Sequence, residues 1–446
     1  MTAPYTAMVD EIAAAIAAGK LRSGERLPPQ RQFAYQRGIA ASTAARVYAE
    51  LLRRGLVVGE VGRGTFVAGE VAPLPALRQE PFEGRIDLEF NFPTVPDQAA
   101  LIAKSLAAWQ RPATLGAALS PVTQRRLTEA GRVTADFLST DRWRPRPENF
   151  LFAGSGRQAI AAAVSALVPL GGRLAVEAVT YPMVKGIAAR LGVTLVPIAM
   201  DSEGIRGDAL LKAHRAGALS AVYLQPVMHN PLGHSMSAAR RTEIIRLARR
   251  LELMIIEDLV YGFLSDVPPL AAEAEERTIV ADSLSKRLAP GIAVGLLYVP
   301  HPLRERFSNV VRTGAWSVSP LALSAGMTLL ADGTAAEIMR RKRADAVARQ
   351  AIVAECLAGQ SLAADPHSYH AWLTLPDGWR ADPLTAAAAR AGIAVTPASA
   401  FAISPGHSPN AVRLALGQPS HDDLRTALTR LAGRLTVRPD EADVTE

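Results

Sequence analysis

The chain has 446 residues, long enough for two or three domains and a large core. Hydrophobic content of 49%, charged content of 20% and the lack of any apolar run of 18 residues suit a globular protein and exclude a membrane-spanning helix. Cys356 is the only cysteine, which excludes an intrachain disulfide framework and a cysteine metal cluster and fits a reducing cytoplasm, while the net charge of +7 permits nucleic-acid binding without establishing it. The first residues lack a basic start followed by an apolar core, so no secretory signal is expected.

Residues 6–18 are mostly alanine, with Met8, Val9, Ile12 and Ile16 at helical spacing. Gly19 and Gly24 close that helix. Pro28-Pro29 open a short second helix through about Arg37, and Gly38 makes a tight turn. Ser42 is the expected N-cap of a third helix through about Arg54, with Val47, Leu51 and Leu52 inward. Leu56-Val57-Val58 and Thr65-Phe66-Val67 flank Gly62-Arg63-Gly64 and read as a hairpin. Three helices and a β-wing make a winged helix-turn-helix, whose third helix would enter the major groove with Ser42, Thr43 and Arg46. Arg31 would touch phosphate or a base edge, and Arg63 at the wing tip would reach a neighbouring groove. Residues 1–70 hold nine basic side chains against six acidic ones, so charge alone does not identify a DNA reader.

Two stretches carry a resemblance. Gly24-Glu25-Arg26-Leu27-Pro28-Pro29-Gln30-Arg31, and Gly55-Leu56-Val57 through Gly62-Arg63-Gly64-Thr65-Phe66-Val67, resemble the GntR family of bacterial repressors and activators over nearly all of residues 5–68. One departure is the alanines at 40, 41, 44 and 45, where family members often carry polar or basic residues early in the third helix. Direct base readout would then be thin, which leaves methyl contacts to thymine as an option.

A winged domain over 1–69 is expected, followed by a proline-containing linker over 70–84 and a second domain over 85–440. Residues 101–110 and 123–139 read as helices. Asn149–Ala153 reads as a strand, followed by Gly154-Ser155-Gly156-Arg157 and an alanine-rich helix. Such a turn at a helix N-terminus is an anion site, because free backbone N–H groups and the helix dipole both favour phosphate. Arg173–Val179, Val193–Ile198, Ala218–Gln225, Leu253–Glu257, Thr278–Asp282 and Val294–Val299 are near-continuous apolar runs with helices between them. They predict an α/β fold with a buried, mainly parallel sheet. Ligand groups then belong at the C-terminal strand ends, where Gly154–Arg157, Asn230, Asp258 and Lys286 fall. From about 331 to 440 a smaller α+β subdomain is expected, with a long arginine-rich helix and short strands at His370–Leu375, Gly392–Thr396 and Val412–Leu416.

The central stretch is Asp282-Ser283-Leu284-Ser285-Lys286-Arg287-Leu288-Ala289-Pro290-Gly291. A lysine at a strand end among small hydroxyls can serve as a Schiff-base amine, with the serines holding a phosphate nearby. Asn230 lies in His229-Asn230-Pro231-Leu232-Gly233, Asp258 and Tyr261 in Glu257-Asp258-Leu259-Val260-Tyr261, and Arg413 in Ala411-Val412-Arg413-Leu414. Alone, Asp258 reads equally as a helix N-cap and Asn230 as an Asn-Pro turn. In this order the set closely resembles the fold-type I enzymes that use pyridoxal 5'-phosphate, the aminotransferase superfamily. The resemblance implies that Lys286 is the catalytic amine and that Asp258 faces the ring nitrogen. It gives the phenolic oxygen to Asn230 and Tyr261, and the phosphate to Ser155, Gly156, Arg157, Ser283 and Ser285. Arg413 would take a substrate or effector carboxylate. Tyr181 matches the aromatic that stacks on the ring, or is a core tyrosine before Pro182.

Both halves together resemble the MocR subfamily of GntR regulators, a winged helix fused to an aminotransferase-like domain. That implies a homodimeric, cytoplasmic transcription regulator that reads a double-stranded DNA operator and senses an amino compound or the vitamer itself. The alternatives are a working aminotransferase with an accessory DNA-binding domain, and a regulator whose fold only dimerises. No metal is implied. Two departures touch the phosphate: Ala293 stands where an arginine is usual, and Ala117 where a tyrosine is usual. Arg157 or Arg287 could restore the charge. Arg287 is expected to point away, because neighbouring strand residues face opposite sides.

Overall fold

The computed structural model describes residues 4–18, 20–21, 25–53, 56–60, 64–67, 85–404 and 408–436. The chain separates into two compact units, Met1–Arg78 and Gln79–Glu446. The stretch expected as a linker, 70–84, lies outside the described residues.

The first unit has helices Pro4–Ala17, Gln30–Arg37 and Ala41–Arg53, then antiparallel strands Val57–Glu60 and Gly64–Val67. Gly38, at φ 61°, adopts the left-handed conformation that ends the second helix, and its N–H returns to the carbonyls of Ala34 and Tyr35. The core holds Val9, Ile12, Leu27, Phe33, Val47, Tyr48, Leu51, Val57 and Val67. Two expectations need correction. The third helix begins at Ala41, so Ser42 is inside it and is not its cap. Its buried stripe is Ala44, Val47, Tyr48 and Leu51, spaced at three and four residues, which turns Leu52 outward at 44% exposure.

The second unit is built on a seven-stranded sheet. Its order is Phe150–Ala153, Gly295–Tyr298, Thr278–Ser283, Met254–Asp258, Ala221–Leu224, Arg173–Glu177 and Thr194–Ile198. The last five are parallel, and Gly295–Tyr298 runs antiparallel to both neighbours. The helix Gly156–Leu167 packs closely on the sheet because Ala159, Ala162, Ala163 and Ala166 are buried and small. A second sheet is antiparallel, in the order Ser361–Ala363, His370–Thr374, Ala411–Ala415, Thr396–Pro397. The helices Thr334–Cys356, Ala381–Arg390 and His421–Leu435 contribute to its core. The expected helix at 101–110 is instead Gln98–Ser105 followed by a 3-10 turn, Leu106–Gln110, and a further helix, Pro112–Leu119, precedes Gln124–Leu138. Among the described residues, no helix is long and apolar enough to cross a membrane, and no cluster of potential metal ligands occurs.

Candidate functional site

Asp258 is the last residue of its strand and Ser283 the last of the next, so both emerge at the same end of the parallel sheet. Lys286 does not end a strand. It rides on a short helical turn, Leu284–Arg287, capped by the Ser283 hydroxyl, which accepts from the Ser285 N–H at 3.1 Å. Gly156 starts the neighbouring helix, and a Cβ there would lie 2.9 Å from the Ser283 Cβ. Glycine therefore allows the anion-type turn and the serine pair to close on one another. Ser155 caps this helix by accepting from the Gln158 N–H at 3.3 Å.

Asp258 is 4% exposed, accepts from the Tyr223 hydroxyl at 2.6 Å and from the Val260 N–H at 3.1 Å. Burial pushes its carboxyl up to about 6, against the lowering effect of the Tyr223 hydrogen bond. The Lys286 amine is pushed well below the usual lysine range by burial, then by the charges of Arg413, Lys342 and Arg157; Asp258 opposes. It donates to the Asn91 carbonyl and lies 3.4 Å from the centre of the Phe92 ring. Tyr261 is buried, with its ring 6.0 Å from the same amine. Burial pushes its hydroxyl upward, and burial likewise pushes the Tyr181 hydroxyl up to about 12.

Arg413 sits on the strand Ala411–Ala415 at 5% exposure. One terminal nitrogen donates to the Glu89 carbonyl at 2.5 Å and to the Thr396 hydroxyl at 3.1 Å. The other makes only a 3.5 Å contact with the Asn230 side-chain oxygen, and Nε has no partner. A buried guanidinium left partly unsatisfied can hold an anion by a planar fork. The loop bearing Asn230 is tied down behind it. Gln225 donates to the Asn230 carbonyl and the Thr180 hydroxyl, both at 3.1 Å, and Glu177 accepts from the Thr180 hydroxyl at 3.1 Å. His370 Nε2 donates to the His229 carbonyl at 2.8 Å, and burial holds its imidazole down at about 3, so it stays neutral.

The fold thus brings Ser155, Gly156, Ser283, Ser285, Lys286, Asp258, Tyr261, Asn230 and Arg413 to one end of the sheet. Arg157 is exposed, makes no hydrogen bond or ion pair among the described residues, and its charge is felt at both Lys286 and Tyr181. Arg287 is committed elsewhere: it pairs with Asp282 at 2.6 Å, both side chains being buried. It does face away from Lys286, but because of the helical turn rather than strand alternation. The sequence reading missed Asn91, Phe92, Tyr223 and Lys342. Asn91 carries a signal, as a polar residue between two phenylalanines just before a proline; Tyr223 and Lys342 sit in segments that read as plain strand and surface helix.

In the first unit, Arg31, Ser42 and Arg46 are exposed, Thr43 is half-buried, and Arg63 lies outside the described residues. Ser42 and Arg46 are four apart on the third helix and share a face with the exposed Ala45 and Ala49. Neither Arg31 nor Arg46 enters an ion pair among the described residues, whereas Arg37 pairs with Glu11 at 2.8 Å.

Residues 85–431 match the family described as aminotransferase class I and II, and residues 4–67 match bacterial regulatory proteins, gntR family. The chain is 26% identical over 425 residues to the uncharacterized HTH-type transcriptional regulator YdeF of Bacillus subtilis, covering 93% of this chain and 90% of that protein. It is 27% identical over 423 residues to the vitamin B6 salvage pathway transcriptional repressor PtsJ of Salmonella typhimurium, covering 94% and 95%. It is 26% identical over 362 residues to the pyridoxine biosynthesis regulator PdxR of Corynebacterium glutamicum, covering 79% and 78%. Among solved structures, a multiple substrate aminotransferase from Thermococcus profundus superposes with a TM-score of 0.70 at 21% identity, covering 85% of this chain and 96% of that one. The kynurenine aminotransferase of Pyrococcus horikoshii gives 0.70 at 22%, covering 81% and 92%. The chain belongs to the aminotransferase class I and II family, carried behind a gntR-type helix-turn-helix domain in the MocR-type architecture of HTH-type transcriptional regulators.

Proposed function

We propose that this chain is a DNA-binding transcription regulator whose aminotransferase-like unit binds pyridoxal 5'-phosphate and responds to an amino compound or to the vitamer. The residues present fit that cofactor. Asp258 is a buried carboxylate with no cationic partner among its hydrogen bonds, suited to a pyridinium nitrogen. The Gly156–Ser283 approach leaves a small cradle of hydroxyls and backbone N–H groups for a phosphate. When bound, pyridoxal 5'-phosphate supplies an aldehyde carbon for amines and an electron-withdrawing ring. Asp258 would hold the ring proton in place, and Asn230 with Tyr261 would orient the phenolic oxygen. Ser155, Gly156, Arg157, Ser283 and Ser285 would hold the phosphate, and Tyr181 would cover the ring. Lys286, whose amine burial pushes well below the usual lysine range, would be the attaching amine. Arg413 would bind a carboxylate.

One observation carries the regulatory reading. The segment Glu89–Phe92, which follows the stretch 70–84 in sequence, engages both Arg413 and Lys286. Its Glu89 carbonyl accepts from Arg413 and its Asn91 carbonyl from Lys286. A ligand that bonds to Lys286 must displace the Asn91 carbonyl, and a carboxylate on the unfilled donors of Arg413 would lie beside the nitrogen that holds the Glu89 carbonyl, so occupancy reaches the segment nearest the DNA reader in sequence. In the proposed assembly a homodimer would then address two half-sites of an operator.

The test is an absorbance titration of the purified full-length protein with pyridoxal 5'-phosphate. A new near-ultraviolet to visible band and borohydride-fixed mass on the Lys286 peptide are expected, and Lys286→Ala should lose both. Full covalent attachment in the alanine variant would sink the assignment. Steady conversion of an amino donor and a keto acid, with DNA binding indifferent to either, would favour the enzyme reading.

A further inference from the structure

Lys342 lies on the helix Thr334–Cys356 with 0% exposure. Its ammonium donates to the Lys286 carbonyl at 3.0 Å and to the Leu288 carbonyl at 2.6 Å. Gln98 reaches the Leu288 carbonyl from another helix at 3.2 Å. These carbonyls lie at the C-terminal end of the turn Leu284–Arg287, where helical carbonyls lack intrahelical partners and a positive charge is favourable. The acid one turn further along, Asp345, is taken by Arg349 at 2.7 Å, by the Tyr369 hydroxyl at 2.8 Å and by His421 at 2.8 Å.

A fully buried lysine bonded only to neutral carbonyls is an expensive residue. An apolar side chain of similar volume would fill the same space at lower cost. The fold keeps the amine where it touches the main chain of Lys286 itself. We propose that Lys342 is a positioning residue for Lys286: it clamps the reactive-lysine turn from behind through the Lys286 and Leu288 carbonyls, and it sets a like charge near the Lys286 amine. The proposal rests on Lys286 being the reactive amine.

The charges around the pair are few. Lys342 faces Asp345 on its own helix, which favours its charge, and Lys286 across the clamp. Lys286 faces Arg413, Arg157 and Lys342, which disfavour its charge, and Asp258, which favours it. Arg287 is turned away onto Asp282. Burial holds Lys342 down at about 7, so its charge, and its push on Lys286, fade as the pH rises through neutrality. Removing that charge lets Lys286 keep its proton to a higher pH.

The experiment uses the full-length protein without added cofactor. Trace acetic anhydride labels amines from about pH 5 to about pH 10, and peptide mass spectrometry follows Lys286 with the exposed Lys104 as reference. In K342M and K342Q the labelling midpoint of Lys286 should rise by about half a pH unit or more, the scale of one like charge at side-chain range. Lys104 should not move. K342Q keeps an N–H donor for the carbonyls, so it should also recover part of the labelling rate that K342M loses. Should K342M fail to fold, thermal unfolding will show it and K342Q carries the test. A Lys286 midpoint in K342Q that coincides with wild type would overturn the proposal. Because the label needs no cofactor, failure of pyridoxal 5'-phosphate to attach would count against the functional reading and leave this shift intact.

Discussion

Arg46 projects from the third helix of the first unit into solvent, while Arg413, at 5% exposure, lies under the strap Glu89–Phe92. Both are arginines suited to an anion, yet they work under different physics. An exposed arginine on a helix face gains from a DNA phosphate mainly by releasing counterions, so its contribution is modest and falls with salt. A buried arginine has already lost its water and keeps unfilled donor positions, so an incoming carboxylate gains a charge-assisted pair in a poorly screened setting. Arg157 is intermediate: exposed like Arg46, but in the first turn of the helix Gly156–Leu167, where its charge reaches Lys286. The comparison teaches that the same residue type should give large, salt-resistant effects in one region and small, salt-sensitive ones in the other.

The largest effect is expected at Arg413. Arg413→Ala should weaken binding of a carboxylate-bearing amino effector by roughly a hundredfold, the scale of a lost charge-assisted fork, with little change between low and high salt. Calorimetric or absorbance titration reads this, and a loss below about threefold would break the comparison.

Asp258→Asn should act in opposite directions on stability and on cofactor retention. The folded carboxyl sits at about 6, above its ordinary 3.8, so the folded protein binds that proton more tightly than the unfolded chain does. Stability contributed by the proton is therefore lost as pH rises from the ordinary value through about 6, and the penalty is complete above it. The asparagine variant without cofactor should be more stable than wild type near pH 8 by ~1–3 kcal/mol and nearly equal to it near pH 4. It should also release pyridoxal 5'-phosphate more readily. Thermal unfolding at the two pH values checks the first part, and equal destabilisation at both would refute it.

Arg157→Gln should weaken pyridoxal 5'-phosphate by roughly tenfold, the worth of one partly screened charge-assisted hydrogen bond. An unchanged dissociation constant would mean that backbone groups with Ser283 and Ser285 hold the phosphate unaided. The smallest effect is Arg46→Ala. It should lower the slope of log affinity against log salt by about one for each half-site, with the unfolding midpoint unchanged. An unaltered slope would remove Arg46 from the phosphate contacts.

What the sequence determined by itself was periodic, ordered and local. Near-continuous apolar runs announced the strands, and the order of Asn230, Asp258, Lys286 and Arg413 pointed to the family before any contact was visible. Helical spacing, with proline, glycine and serine as punctuation, located the three N-terminal helices, though not their details: the stripe through Val47, Tyr48 and Leu51 leaves no inward place for Leu52. Only the tertiary structure decided which groups meet. Glu89 and Arg413 are 324 residues apart, Asn91 and Lys286 are 195 apart, and Lys342 reaches a carbonyl 56 residues away. Such pairings depend on how two sheets and a strap close around one turn, and a linear pattern carries no record of that closure. Burial decided the proton affinities as well. Asp258, Lys286 and Lys342 look like ordinary titrating groups in the sequence, and the loss of water around them raises the proton affinity of the carboxyl and lowers that of the two amines.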